Sequence, residues 1–364
     1  MIEVVPDIAF KKALRRSSNA SLNECIQCGT CSVVCSLAPD ERPFPRKEMI
    51  WAAWGMRDKL LANPDVWLCH QCGDCTTYCP RGVKPADVLS SVRLLSYRHY
   101  VRPMFLGTMV NNPAWLPVAL LFPVIIIAAI LLLAGTLTIP EGPVNYSAFF
   151  PHAWLNGSFT FITLLTYGVA SIGFVKFWND LKSAFPGSNP TSGFWKSLWQ
   201  VKGELLLHSK FGECTAQRSR KVAHLLVFYG FVLLLLVTAY AIVAAVTHNY
   251  PLTLFNPFKV LGNVAALMLT IGLSIMIINR LTDPGTYGNS NYSDWLLLLS
   301  FLLLTISGIV VQFARLQDWG SAYYLYFFHL VCVWFVIIYL PGSKFVHLIY
   351  RTLALAFANS IGRR

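Results

Sequence analysis

Six apolar stretches, each long enough to cross a bilayer, leave this chain few ways to fold. A helix rises about 1.5 Å per residue, so the roughly 30 Å hydrocarbon layer takes about 20 residues. Spans are predicted near Leu116–Ile139, Phe159–Trp178, Val222–Thr247, Val260–Ile278, Trp295–Gln312 and Tyr323–Leu340. The last is expected to continue past Pro341-Gly342 to about Thr352 as a kinked helix, because proline removes one backbone donor. Composition agrees: 55% of the 364 residues are hydrophobic and only 13% charged, too few charges for a soluble surface.

The charge is concentrated in the N-terminal part. Residues 1–102 carry 14 of the 29 Lys and Arg, and the shift to apolar sequence comes at "RPMFLGTMVNNP". The organisation read from this is a polar module over residues 1–102, a linker over 103–115, a transmembrane domain over 116–352 and a tail over 353–364. The loop from Glu141 to Ser158 has no Lys or Arg. The stretch from Lys176 to Lys221 has eight. By the positive-inside rule the module and the C-terminus are then cytoplasmic, and the protein is a multi-pass protein of the inner (cytoplasmic) membrane. The net charge of +12 follows from these helix flanks, so nucleic-acid binding is not expected. The opening "MIEVVPDIAFKKALRR" has no early apolar run and does not read as a signal peptide.

Eight of the ten cysteines form two runs of one pattern. The first is Cys25-x2-Cys28-x2-Cys31-x3-Cys35; the second is Cys69-x2-Cys72-x2-Cys75-x3-Cys79, followed by Pro80. A cubane cluster needs four thiolates around four irons. Three come from one tight loop, and the fourth must come from elsewhere, because a single loop cannot surround the cube. In two-cluster ferredoxins the last Cys of each run ligates the other cluster. The expected ligand sets are therefore Cys25, Cys28, Cys31 and Cys79 for one [4Fe–4S], and Cys35, Cys69, Cys72 and Cys75 for the other. Zinc sites use C-x2-C pairs split by longer loops, and a disulfide framework rarely repeats this spacing. His70, inside the second run, is not counted as a ligand. Apolar residues at helical spacing in "FPRKEMIWAAWGMRDKLL" and "VKPADVLSSVRLLSYRHYV" make the module helical rather than a small sheet-based ferredoxin.

"CIQCGTCSVVC", "FPRKEMIWAAWG" and "WLCHQCGDCTTYCPRGVKPADV" resemble the C-subunit of heterodisulfide reductase, an α-helical ferredoxin with two cubane clusters. The resemblance covers roughly residues 20–100. In the first run Ser36 stands where the pattern has proline. The expected fold class is therefore all-α: an α-helical ferredoxin domain followed by a six-helix transmembrane bundle of cytochrome b type.

Histidines carry the membrane half of the reading. An ionisable residue within a span is costly and marks function by default. His329 and His347 are eighteen residues apart, five turns or about 27 Å on one helix, so both rings are expected on one side near opposite membrane faces. That spacing suits two stacked haems. His224 opens the third span level with His347, and the two are expected to hold the haem nearer the clusters, with Arg220, Lys221, Lys344 and Arg351 near its propionates. The last span resembles the cytochrome b of respiratory nitrate reductase and of membrane-bound heterodisulfide reductase. That resemblance implies a second histidine ten residues after His224, where this chain has Leu234. His248 is the candidate fourth ligand; His152 and His208 are weaker, His208 being read as on the wrong side. Cys214 and Cys332 are expected to be ordinary thiols, and His99 an interfacial residue.

The two modules fused in one chain resemble the C-subunit of the quinone-interacting membrane-bound oxidoreductase complex of sulfate reducers. The resemblance implies the quinone-reactive component of a multi-subunit oxidoreductase, with two b haems, two [4Fe–4S] clusters and menaquinone as membrane substrate. It also implies flavoprotein partners related to the A-subunit of heterodisulfide reductase, and electrons destined for adenylylsulfate reductase. Alternatives are the membrane component of a heterodisulfide reductase-type complex, or a passive anchor for a ferredoxin domain. No residue identifies the quinone site, and no Gly-rich dinucleotide fingerprint occurs, so flavin or NAD binding is not expected here.

Overall fold

The computed structural model describes residues 5–18, 22–186, 192–213, 218–247, 252–283 and 290–363. His248 and Cys214, both named above, lie outside them. The fold is 76% helical, with no strand among the described residues. The module contains α1 (Ile8–Ser18), α2 (Thr30–Val33), α3 (Arg46–Trp54), α4 (Arg57–Leu61), α5 (Asp65–Leu68), α6 (Asp74–Thr77) and α7 (Pro85–Tyr100). Then come α8 (Met104–Asn111), α9 (Leu116–Leu133), α10 (Tyr146–Phe149), α11 (His152–Ala184), α12 (Phe194–Gln200) and α13 (Lys202–Leu207). The chain continues with α14 (Arg218–Val246), α15 (Pro257–Thr282), α16 (Tyr292–Leu316), α17 (Ala322–Tyr339) and α18 (His347–Ser360).

Among the described residues six helices are long and apolar enough to cross a membrane: α9, α11, α14, α15, α16 and α17. Each overlaps one expected span. Half of the apolar window of α17 is buried, against 6% for α14, so α17 is the central helix and α14 the most peripheral. What holds α14 is its packing on α15 through two glycines. A Cβ on Gly230 would come within 2.7 Å of Leu269, and one on Gly272 within 2.8 Å of the Ala223 carbonyl.

The final helix does not run through. α17 stops at Tyr339, a tight turn spans Leu340–Gly342, Ser343 is extended, and a second turn leads to His347 at the start of α18. Pro341 lacks the donor a continuing helix needs. Ser343 then takes over as a cap, its hydroxyl accepting from the Phe345 amide at 3.2 Å. The five-turn relation between His329 and His347 therefore does not hold, since the two residues belong to separate helices.

Residues 103–115, expected as a linker, are ordered as α8 and a following turn. Asn111 Nδ2 donates to the Gly107 carbonyl at 2.8 Å and the Gly342 carbonyl at 2.6 Å. A Cβ on Gly342 would lie 2.8 Å from Gly107, so only glycine permits this approach. The module and the bundle also share one core. At 33 residues α11 is about 50 Å long and overshoots the hydrocarbon layer. Its end packs Phe177 against Trp67, Tyr100 and Tyr350, with ring centres 5.7, 5.2 and 5.2 Å apart. Burying such rings drives association of the two halves. The tail expected from residue 353 is instead the body of α18, and Arg363 beyond it ion-pairs with buried Asp65, as does Lys47 at 2.6 Å.

Candidate metal centres and the cavity between them

The two cysteine loops have the same backbone. Gln27 and Gln71 both have positive φ (58° and 55°), as do Gly29 and Gly73 (89° and 92°), each glycine leading into a one-turn helix. Two left-handed residues in five curl the chain so that the three sulfurs of each loop turn inward. Amide donors support the sulfurs: Gln27 Nε2 lies 3.3 Å from Cys25 Sγ, and the Gln71 backbone N–H 3.3 Å from Cys69 Sγ.

The structure brings the cysteines together in two groups of four. Cys25, Cys28, Cys31 and Cys79 line one cavity. Cys35 and Cys75 sit in the field of Cys69 and Cys72. These groups coincide with the crossed sets expected from the spacing. Burial, reinforced by the neighbouring thiols, pushes Cys31 up to about 11 and Cys35 up to about 12, and Cys75 higher still. Thiolates crowded in this way need a cation among them. Among the described residues no three His, Cys, Asp or Glu side chains converge on a single-ion site. The sulfurs of the first group instead line a cavity, the arrangement a polynuclear cluster takes.

A larger cavity, about 1080 Å³ counting its open mouth, lies between the second loop and the membrane helices. Cys69, His70 and Gln71 line one wall; His208, His224, Lys344 and His347 line the others. The ring centres of His224 and His347 are 6.2 Å apart. With metal–nitrogen bonds of about 2 Å on each side, two imidazoles clasping one metal have centres about 6 Å apart. Both rings are tethered through Nδ1. His347 Nδ1–H donates to the Lys344 carbonyl at 2.8 Å, which leaves Nε2 as a free lone pair. His224 Nδ1 lies 2.7 Å from His208 Nε2, and donation to His208 frees its Nε2 likewise. A metal-bound histidine is ordinarily oriented in this way by its other nitrogen. The pair would therefore suit a haem iron as its two protein ligands. His208, discounted in the sequence, is the residue that positions His224. It sits in a left-handed turn (φ 52°) after α13, which no periodicity signals.

Arginines join the two walls. Arg220, four residues before His224, donates to the Gln71 carbonyl at 3.1 Å. Arg351, four residues after His347, reaches the His70 ring, Glu204 at 3.2 Å and the Cys69 carbonyl at 3.4 Å. Residues four apart share a helix face, so each helix presents a histidine to the cavity and an arginine to the cysteine loop. Of the four expected countercharges for propionates, Lys221 does not line the cavity, which leaves Arg220, Arg351 and Lys344. They line the cavity, but the two arginines also clamp the loop, and Lys344 is paired with buried Asp294, which lies 3.9 Å from Arg280. Burial, with Arg351 beside it, pushes His70 down to about 3, so at neutral pH it accepts a hydrogen bond and carries no charge. Glu204 and Asp294 carried no motif, and sequence reasoning missed both.

His329 lies about 15 Å along α17 from its module-side end. Ser307 donates its hydroxyl to the Leu304 carbonyl at 3.0 Å and accepts from His329 Nδ1–H at 2.9 Å, again leaving Nε2 free. Gly308 gives the ring room, a Cβ there falling 3.2 Å from it. Cys332 is buried one turn further on, His152 starts α11, and His99 is half-buried beside Lys176.

Comparison with known proteins bears on both halves. Residues 111–364 match the family model described as Citrate utilization protein B, and residues 21–83 match the 4Fe-4S dicluster domain. The citrate utilization protein B of Escherichia coli is 25% identical over 353 residues, covering 91% of this chain and 88% of that protein. A heterodisulfide reductase C-subunit-like protein of Archaeoglobus profundus is 40% identical over 77 residues, 21% of this chain and 41% of the relative. The C-subunit of the H(2):CoB-CoM heterodisulfide,ferredoxin reductase of Methanothermobacter marburgensis is 34% identical over 90 residues, 24% of this chain and 47% of the relative. The chain thus spans less than half of these two relatives, through its cysteine module alone. No solved structure matches it.

Proposed function

The chain belongs to the citrate utilization protein B family, and from that premise we propose that it passes electrons between membrane quinone and a soluble redox partner through two b haems and two [4Fe–4S] clusters. It is a membrane-associated electron-transfer subunit with a dicluster iron–sulfur module. One observation carries the rest. The second cysteine loop and the His224–His347 pair line the same cavity.

Cys25, Cys28, Cys31 and Cys79 hold one cluster in this reading, and Cys35, Cys69, Cys72 and Cys75 the other. His224 and His347 hold the haem next to the second loop. His329 serves the more distant one, with His248 as candidate partner. Haem, when bound, supplies a one-electron centre inside the bilayer, which no side chain of the chain offers. The protein's residues orient and insulate. Lys344, Ser307 and His208 fix the tautomers of the three histidines, and Arg220 and Arg351 hold the Cys69–Gln71 backbone against the membrane wall. The module and the C-terminus face the cytoplasm of an inner-membrane protein, with the quinone drawn from the lipid.

Two partner chemistries fit. The likeness of the fused modules to the sulfate-respiration complex favours menaquinone, flavoproteins related to the A-subunit of heterodisulfide reductase, and adenylylsulfate reductase as the destination. The full-length match to a protein named for citrate utilization favours a soluble partner acting on a small carboxylic acid. Copurification from the native membrane separates them by the partner recovered.

The test of the shared core is spectroscopic. Reduced protein should show split b-type bands and iron–sulfur absorption, with His347→Ala and His329→Ala each removing about half the haem. Quinol should no longer reduce the clusters in His347→Ala. A preparation without porphyrin, or unimpaired cluster reduction in that variant, overturns the proposal.

A further inference from the structure

Away from the redox cavity, a second large cavity opens where the module meets the exit of α11, about 1300 Å³ counting its mouth. Four cations line it, Lys47, Arg57, Lys59 and Lys176, against the carboxylates Asp58 and Asp180. Lys47 and Arg57 are anchored by ion pairs to Asp65 and Asp7. Lys59 and Lys176 are held over aromatic rings, 5.7 Å from Trp51 and 5.8 Å from Tyr100, and Lys176 Nζ donates to His99 Nε2 at 3.3 Å. Burial, with Lys176, Arg57 and Arg102 nearby, keeps His99 at about 4, so the ring stays neutral in a positive field.

The position of the cavity is as informative as its charge. Along α11 the residues Phe161, Leu164, Leu165, Ile172 and Val175 are all more than half exposed, an apolar run suited to lipid chains. Lys176 follows Val175 directly, and one turn later Asp180 begins the polar end of the helix. The mouth thus lies at the level where a bilayer changes from chains to headgroups, on the side from which the module projects.

We propose that this cavity binds the phosphate-bearing headgroup of an anionic phospholipid, with Lys59 and Lys176 as its principal contacts. A lipid seated there wedges between α4 of the module and α11 of the bundle and fastens the two halves together. Basic pockets at this depth are where anionic headgroups bind, and each surface lysine adds measurably to the attraction. A soluble anion shares the chemistry but not the apolar approach along α11.

The test uses full-length protein in neutral detergent. Phosphatidylglycerol or cardiolipin should raise the melting temperature and remain bound in native mass spectrometry, whereas phosphatidylcholine and inorganic phosphate should do neither. Lys59→Gln with Lys176→Gln should weaken retention on the order of tenfold or more. Lys182→Gln, which removes the same charge from α11 outside the cavity, should leave retention intact. Should the double variant lose its iron, Lys59→Gln alone, at an exposed position, should give part of the same loss. Equal retention by these variants and the wild type, or full stabilisation by phosphate alone, overturns the proposal. Neither readout depends on haem or on electron transfer.

Discussion

The two cysteine loops are near copies set at different depths. In the first, Ile26 is 61% exposed and Cys28 reaches the surface; in the second, His70 is 6% exposed and Cys75 is buried. At the equivalent third position, burial raises the outer Cys31 thiol to about 11 and drives the more deeply buried Cys75 higher still. Yet the positive-φ residues match one for one. Loop geometry thus specifies the cage, and the packing around it specifies what the cage faces. The outer loop is open to the surface, and the inner loop looks across a cavity at His224 and His347. This gives the proposed route an order.

The largest effect should come from substituting one cysteine in each loop. Cys75→Ser and Cys28→Ser should each lose about half the non-haem iron. In Cys75→Ser, quinol should no longer reduce the remaining cluster, and the melting temperature should fall. In Cys28→Ser, quinol should still reduce the inner cluster. Quinol-driven reduction of the outer cluster in Cys75→Ser, followed by electron paramagnetic resonance, would show that the order is wrong.

A smaller effect should follow from the arginine clamp. Arg351→Gln with Arg220→Gln removes two positive charges and three hydrogen bonds to the inner loop. Its midpoint potential should become more negative by on the order of tens of millivolts, since cluster potentials follow local charge and hydrogen bonding. Arg46→Gln, beside exposed Cys28, should shift the outer cluster less because solvent already screens that charge. Equal shifts in redox-poised spectra would remove the distinction between the loops.

The smallest effect concerns Glu48, beneath the stretch leading to the inner loop. It is fully buried, and burial, with Asp65 nearby, raises its carboxyl to about 8. A folded value above the unfolded one means the native state holds the proton more tightly. The associated stability is complete below about pH 4.5 and is lost as pH rises through about 8. Glu48→Gln should therefore flatten the decline in melting temperature between pH 5.5 and 8.5. An unchanged slope would place Glu48 in its charged form throughout, matched by Lys47 and Asn63.

Much of this protein was legible because its signals are local. A run of about 20 apolar residues specifies a helix whatever surrounds it, and cysteine spacing encodes loop curvature directly. The histidines show where locality fails. His224 and His347 were read as partners from their depth, and the structure places their rings together. The relation between His347 and His329 rested on an unbroken helix, and Pro341 with Ser343 ends it. His208 looked misplaced because its position depends on a left-handed turn and on the side from which α13 approaches α14. Glu204 and Asp294 were invisible, since a lone carboxylate acquires meaning only when a distant arginine or lysine arrives beside it.

The sequence by itself determined how many helices can cross the bilayer, which cysteines curl into cages, and which half carries the charge. Each of these follows from chain length, residue spacing or transfer of side chains out of water, all of which act over a few turns. Tertiary structure alone decided that the module shares a core with α11 and α18, that the inner loop faces two membrane histidines, and that two arginines join those walls. Contacts between residues hundreds of positions apart, such as Arg351 with Cys69 at a separation of 282, depend on how long elements dock. Docking is settled by the summed packing of many side chains, which no local pattern contains.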